Sequence, residues 1–66
     1  MENNECILIA ELRDNMEIDP KKYSIQMLRE LSMKGYINLL FDMDKEVIDI
    51  NRGEWFAMAM EIYLKK

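Results

Sequence analysis

The cysteine and histidine content is the feature that most constrains the fold of this chain. It excludes the intrachain disulfides and common zinc sites that often stabilise small domains. The 66-residue sequence holds one cysteine, Cys6, and no histidine. A lone cysteine forms no intrachain disulfide, and the common zinc sites need at least three protein ligands, most often Cys or His. Chains of this size bury only about 60% of the surface of the unfolded chain. We therefore expect a single domain without metal or cofactor, stabilised by a dense core or by self-association.

Charge is distributed unevenly along the chain. The formal net charge is −4, which argues against bulk attraction to nucleic acid or anionic lipid. Residues 20–35 nevertheless carry four bases (Lys21, Lys22, Arg29 and Lys34) against one acid, a local charge of +3. Nucleic acid is therefore a disfavoured partner, although one segment has the charge to bind it.

The N-terminal residues predict the cellular location. They are polar and acidic, unlike the basic and apolar segments of a secretory signal. The apolar run 6–10 is far shorter than the ~20 residues of a membrane span. A lone cysteine also fits a reducing compartment. We expect a cytoplasmic protein of bacterial or phage type that does not enter the membrane.

The pattern of apolar residues predicts the order helix, helix, β-hairpin, helix. Helix one should span residues 4–15, with Leu8 and Leu12 on one face. Helix two should start at the cap Asp19 with Pro20 in its first position, and end at Gly35. Its predicted buried stripe consists of Ser24, Met27, Leu28 and Leu31.

The second half of the sequence predicts the hairpin and the last helix. Residues 36–42 and 47–50 read as strands around a turn at 43–45, with Ile48 and Ile50 facing inward. A capping box from Asn51 to Glu54 should open helix three, which would run to the terminal lysines, Lys65 and Lys66.

One segment resembles a known family. Residues 28–37, Leu-Arg-Glu-Leu-Ser-Met-Lys-Gly-Tyr-Ile, look like a winged-helix recognition helix running into its wing, and residues 48–64 resemble the closing strand and final helix. The resemblance implies an α+β, winged-helix-like domain over residues 1–66. Two departures stand out: the middle helix is missing or collapsed into residues 15–20, and the wing tip is acidic, whereas DNA-gripping wings are usually basic.

The resemblance implies a DNA-reading face on helix two. In that interpretation Arg29 would pair with guanine and Gln26 with adenine. The alternative is an ordinary solvated helix face. The candidate DNA-binding residues are Lys21, Lys22, Gln26, Arg29 and Met33.

The hairpin carries the candidate site for a protein partner. Its acids do not have the spacing or the glycine of a calcium loop, so they form either a solvated turn or a surface for a basic partner. The candidate partner-binding residues are Asp42, Met43, Asp44, Glu46 and Asp49.

Helix three is apolar around nearly its whole circumference, which indicates burial on more than one side. We expect Trp55 to cover the hairpin and other residues to form a homodimer seam, with plain core as the alternative. Met27, Met58 and Met60 have core-like spacing, whereas Met33 and Met43 are candidates for exposed contacts. The candidate self-association residues are Phe56, Ala59, Met60 and Tyr63.

No residue pattern in the sequence indicates catalysis. Cys6 has no histidine to activate it, and there is no glycine-rich phosphate loop or Ser-x-x-Lys motif. We expect a non-enzymatic protein-binding module. By analogy with small acidic phage proteins, it would act as an inhibitor or an adaptor. Its target would be a host protein that handles nucleic acids or serves in defence. The alternative is a winged-helix transcriptional regulator that places helix two in the major groove.

Overall fold

The computed structural model describes residues 3–65 and confirms a small α+β domain. Three helices surround one two-stranded antiparallel hairpin within these residues. The elements are α1 (Asn4–Arg13), a short 3₁₀ turn (Pro20–Lys22), α2 (Ile25–Met33), β1 (Ile37–Phe41), β2 (Val47–Arg52) and α3 (Phe56–Leu64).

Helix α1 ends two residues before the predicted boundary. Its last carbonyls accept hydrogen bonds from the following turn and from Arg52 in place of a further helical turn. Asn15 adopts a left-handed conformation (φ 57°), and the Met16 N–H closes back onto the Glu11 carbonyl at 3.0 Å. Arg52 of β2 donates to the carbonyls of Leu12 at 2.8 Å and Arg13 at 2.7 Å. These contacts attach the end of α1 to the root of the hairpin.

The predicted second helix is divided in two. Asp19 caps the chain as expected, but Pro20–Lys22 form only a 3₁₀ turn, and the backbone becomes extended at Tyr23. Helix α2 starts after Ser24, whose hydroxyl accepts the Met27 N–H at 3.2 Å. The prediction that Ser24 is buried is therefore wrong, because its side chain caps the helix at an exposed position.

Two glycines bring together the end of α2, the end of β2 and the start of α3. Gly35 ends α2 with φ 80°, as predicted, and the Tyr36 N–H bonds to the Leu31 carbonyl at 3.1 Å. Gly53 lies directly against it, since a Cβ built on Gly53 would be 2.3 Å from the Gly35 carbonyl oxygen. The Trp55 N–H also donates to that oxygen, at 2.8 Å. No other residue fits at Gly53 without moving backbone.

A bulge in the hairpin changes which side chains face the core. Leu40 pairs with Asp49 and Phe41 with Val47, so Ile48 is left without a partner. Ile48 is consequently 53% exposed, and the prediction that it faces inward is wrong. The inward position of Ile50 is confirmed.

Helix α3 is shorter than predicted and begins without a side-chain cap. The capping box from Asn51 to Glu54 is wrong because β2 continues to Arg52 and pairs Asn51 with Asn38. The helix ends at Leu64, before Lys65, and Lys66 lies outside the described residues.

The core lies between α1, α2, α3 and the inner face of the hairpin. Helix α1 packs on α3, where the Cys6 thiol donates to the Tyr63 carbonyl at 3.2 Å and the Tyr63 hydroxyl donates to Glu5 at 2.7 Å. Over residues 3–65, no helix is long and apolar enough to cross a membrane. The buried side chains are Leu8, Ile9, Leu12, Tyr23, Leu28, Leu31, Tyr36, Ile37, Ile50, Phe56 and Ala59.

Replacement of Gly53 by alanine tests the contact between the two glycines. The added methyl group would meet backbone atoms of Gly35, Tyr36 and Ile37, which have no free rotation to avoid it. We expect Gly53→Ala to lower the free energy of unfolding by about 3 kcal/mol, measured by urea denaturation. The exposed helical substitution Ala57→Gly should cost only about 1 kcal/mol. Equal losses in the two variants would contradict the close approach.

Alkaline unfolding tests the environment of Tyr63. Burial, assisted by the neighbouring Glu5 carboxylate, raises the pKa of the Tyr63 phenol to about 12, against about 10 in an unfolded chain. Between these values the folded state holds the proton more tightly, so the free energy of unfolding should fall as pH rises from about 10 to 12. Urea denaturation at several pH values should show a shallower fall in Tyr63→Phe. An unchanged slope in that variant would contradict the assignment.

Candidate protein-binding surface

The hairpin turn holds four of the five predicted partner-binding residues close together. Met43 stands at the tip and is 99% exposed. Asp44 and Glu46 flank it and are exposed, whereas Asp42 is half-buried. Asp49 lies further along β2, beyond the bulge and opposite Leu40. The turn therefore groups one fully exposed apolar side chain with several carboxylates.

Two of these carboxylates have structural roles within the hairpin. Asp42 accepts the Glu46 N–H at 2.8 Å, and its backbone closes the turn through Lys45 and Glu46. Asp49 accepts the N–H of Ile50 at 2.9 Å. Within residues 3–65, the carboxylates of Asp44 and Glu46 form neither a hydrogen bond nor an ion pair. These two acids are the ones available to a partner.

The strands on either side of this turn carry exposed apolar side chains that the sequence-based prediction of the site omitted. Leu40, Phe41 and Ile48 are each about half exposed. The run Leu39-Leu40-Phe41 is a signal in the sequence for such exposure, because successive strand residues point to opposite faces. Leu40 and Phe41 therefore lie on opposite faces of the hairpin. The bulge at Ile48 has no comparable signal. We define the distal hairpin surface as the exposed side chains on both faces of the outer hairpin, namely Leu40, Phe41, Met43, Asp44, Glu46 and Ile48.

The predicted DNA-binding face is spread over two elements. Gln26, Arg29 and Met33 lie on one exposed side of α2, and Met33 is 87% exposed. Lys21 and Lys22 lie instead on the 3₁₀ turn. The expectation that Met33 and Met43 are exposed is confirmed.

Lys22 is already occupied by a contact with α1. Its Nζ lies 3.1 Å from the Glu11 carboxylate, which also accepts the Tyr23 hydroxyl. The hydrogen bond from Tyr23 is the main reason that the pKa of Glu11 is lowered. Burial, followed by the Glu11 interaction, raises the pKa of Tyr23. The charge of Lys22 therefore contributes to attaching the 3₁₀ turn to α1.

The predicted self-association residues lie largely within the domain itself. Phe56 is 5% exposed, with the Arg52 guanidinium 5.3 Å from its ring centroid, and Ala59 is fully buried. The prediction that these two form a dimer seam is therefore wrong, because the protomer's own core covers them. Met60 and Tyr63 are half-buried against the same core.

The outward positions of α3 hold a different set of apolar side chains. Met58, predicted in the core, is exposed, as is Ile62. Trp55, just before the helix, is also exposed, although its Cδ1 would lie 2.5 Å from a Cβ built on Gly35. Among the described residues, no group of three Cys, Asp or Glu side chains is placed to hold a metal ion.

Comparisons with known proteins assign no family to the chain. No protein-family model matches the sequence, no curated protein matches it significantly, and no solved structure does so. The chemistry of the exposed surfaces is therefore the basis for a functional proposal.

Two alanine variants separate the structural acid of the turn from an available one. Asp42→Ala removes the acceptor of the Glu46 N–H, so we expect it to lower the free energy of unfolding by about 1 kcal/mol. Asp44→Ala removes no such contact and should change stability by less than about 0.5 kcal/mol. Urea denaturation measures both. A larger loss for Asp44→Ala would show that the roles of the two acids are reversed.

Proposed function

We propose that this chain is a non-enzymatic protein-binding module that contacts its partner through the distal hairpin surface. The observation that carries the proposal is the combination of half-exposed Leu40, Phe41 and Ile48 with the available carboxylates of Asp44 and Glu46. Exposed apolar groups rimmed by polar ones are typical of interaction sites.

The chemistry of this surface favours a protein over a nucleic acid. Carboxylates repel phosphates, whereas nucleic-acid binding draws most of its affinity from basic contacts to the backbone. Apolar side chains supply the buried centre of a protein interface, and acids at its rim direct a basic partner. Met43 adds an adaptable contact because its thioether chain can adopt many conformations. We therefore infer a partner with an apolar patch bordered by lysine or arginine.

A winged-helix-like scaffold is part of the proposal. The order of α1, α2, hairpin and α3 supports it, as does the position of the 3₁₀ turn, Pro20–Lys22, where such a fold has its middle helix. In this interpretation the hairpin is the wing. The acidic wing would serve protein recognition, since it lacks the positive charge that grips DNA.

An inhibitor or adaptor role follows from the same chemistry. Proteins that handle nucleic acids carry basic surfaces, and an acidic, partly apolar hairpin could cover such a surface. We propose a host protein of this class as the target, of the kind that small phage proteins block. This part of the proposal rests on the small size and acidic charge that the chain shares with such phage proteins.

A pull-down with the immobilised chain tests the proposal. We expect a host protein to be retained after nuclease treatment and identified by mass spectrometry. The variant Asp44→Lys/Ile48→Ser changes one available acid and one exposed apolar residue, and should reduce retention at least about tenfold. The matched control Lys34→Glu/Ile62→Ser makes similar changes away from the hairpin and should retain the partner. Equal retention by both double variants would contradict the use of the distal hairpin surface.

DNA binding by α2 is the second candidate. The observation that favours it is the single exposed side formed by Gln26, Arg29 and Met33. The same pull-down separates the two candidates. Recovery of nucleic acid, with loss of every protein after nuclease treatment, would favour α2 and would overturn the hairpin proposal.

A further inference from the structure

A groove separates the hairpin turn from the 3₁₀ turn and the start of α2. Its volume is about 280 Å³, slightly below the range of about 300–1,000 Å³ that is usual for small-molecule pockets. This size suits one large side chain rather than a cofactor. The groove is lined by Pro20, Lys21, Tyr23, Ile25, Leu28, Lys45, Glu46 and Val47.

The walls of the groove are apolar. Tyr23 and Leu28 are buried and reach it from the core side, and Val47 is half-buried on the hairpin side. Ile25, at the first position of α2, is 46% exposed. An apolar side chain inserted here would cover surface that the domain leaves in water.

Two lysines stand at the rim, one on each side. Lys21 comes from the 3₁₀ turn and Lys45 from the hairpin turn, and among the residues that the structure describes Glu46 is the only acid that lines the groove. The ion pairs within residues 3–65 involve neither lysine, in contrast to Lys22, which is bound to Glu11. The groove is thus locally positive in a chain whose net charge is −4.

Lys45 also has an unfavourable backbone conformation. Its φ of 62° lies in the left-handed region, which glycine and asparagine adopt more easily. The turn thus places a lysine where a glycine would cause less strain. Strain of this kind is a reason to look for a role of the side chain in binding.

We propose that this groove binds a short acidic peptide segment of another protein. One large apolar side chain of the segment enters between Tyr23, Ile25 and Val47, and its flanking carboxylates pair with Lys21 and Lys45. Charge complementarity at the rim selects an acidic segment over a basic one. This site shares Glu46 with the distal hairpin surface, but a free peptide would bind here even if Leu40, Phe41 and Ile48 contacted nothing.

Titration of the isotope-labelled chain with synthetic peptides tests the proposal by NMR. The probe is acetyl-Asp-Glu-Phe-Glu-Asp-amide. The matched probes replace either the phenylalanine by alanine or the four acids by lysine. We expect saturable shifts of the amides of Lys21, Tyr23, Ile25 and Val47 with the first probe and none with the other two.

Substitution of Lys45 by glycine separates binding from folding. Lys45→Gly relieves the left-handed strain, so its thermal unfolding midpoint should rise while its Kd for the acidic peptide increases about threefold, as for loss of one exposed ion pair. Ile25→Ser should raise the Kd at least about tenfold, because it removes an apolar wall. The controls Lys34→Glu and Ile62→Ser, on other surfaces, should leave the Kd unchanged.

Several results would overturn the proposal. They are the absence of saturation by the acidic peptide, equal binding of the alanine or lysine probe, and an unchanged Kd in Ile25→Ser. Shifts of the same amides with protein concentration alone would assign the groove to a second copy of the chain and would also refute it.

Discussion

The close contact of two backbone segments at Gly35 and Gly53 is the constraint on which the rest of the domain depends. Gly35 ends α2, and Gly53 follows β2, so their contact joins the root of the hairpin to two helices. The Trp55 N–H donates to the Gly35 carbonyl and so sets where α3 begins. The outer part of the hairpin is held in addition by Val47, which packs against the core, whereas Met43 at the tip is 99% exposed.

Arg52 connects this root to α1 and adds to the cap that the left-handed Asn15 forms at the end of the helix. Its guanidinium donates to the carbonyls of Leu12 and Arg13 and to the Asn15 side chain, and lies over the ring of Phe56. Charged donors at the negative end of a helix are favourable. A planar group with several donors can reach both carbonyls at once, although the Leu12 carbonyl also accepts the Asn15 N–H at 3.2 Å. Arg52 covers the ring of Phe56 from outside, while the other side of that ring belongs to the core of the protomer.

Features that depend on local chemistry could be predicted from the sequence, and features set by tertiary contacts could not. The left-handed Gly35, the turn after Asp42 and the three helices each have a local signal. The start of α2 at Ser24 has a weaker local signal, because Asp19-Pro20 is an equally good N-terminal signal for a helix. The bulge at Ile48 and the contacts of Arg52 depend on strand register and on residues about forty positions away. As a result, the acids and Met43 of the candidate surface could be predicted, and the run Leu39-Leu40-Phe41 signalled further exposed apolar groups, but the exposure of Ile48 could not be predicted.

The exposed hairpin must also avoid pairing with other copies of itself. A two-stranded sheet leaves strand edges open, and such edges favour aggregation unless they are blocked. The Asp49 carboxylate occupies the N–H of Ile50, so this part of β2 offers no free donor to another strand. The bulge interrupts the edge, and the acids at the tip repel the tips of other copies. The carboxylates thus oppose self-association through the exposed Leu40, Phe41 and Ile48. Under the proposed function, the same charges would attract a basic partner.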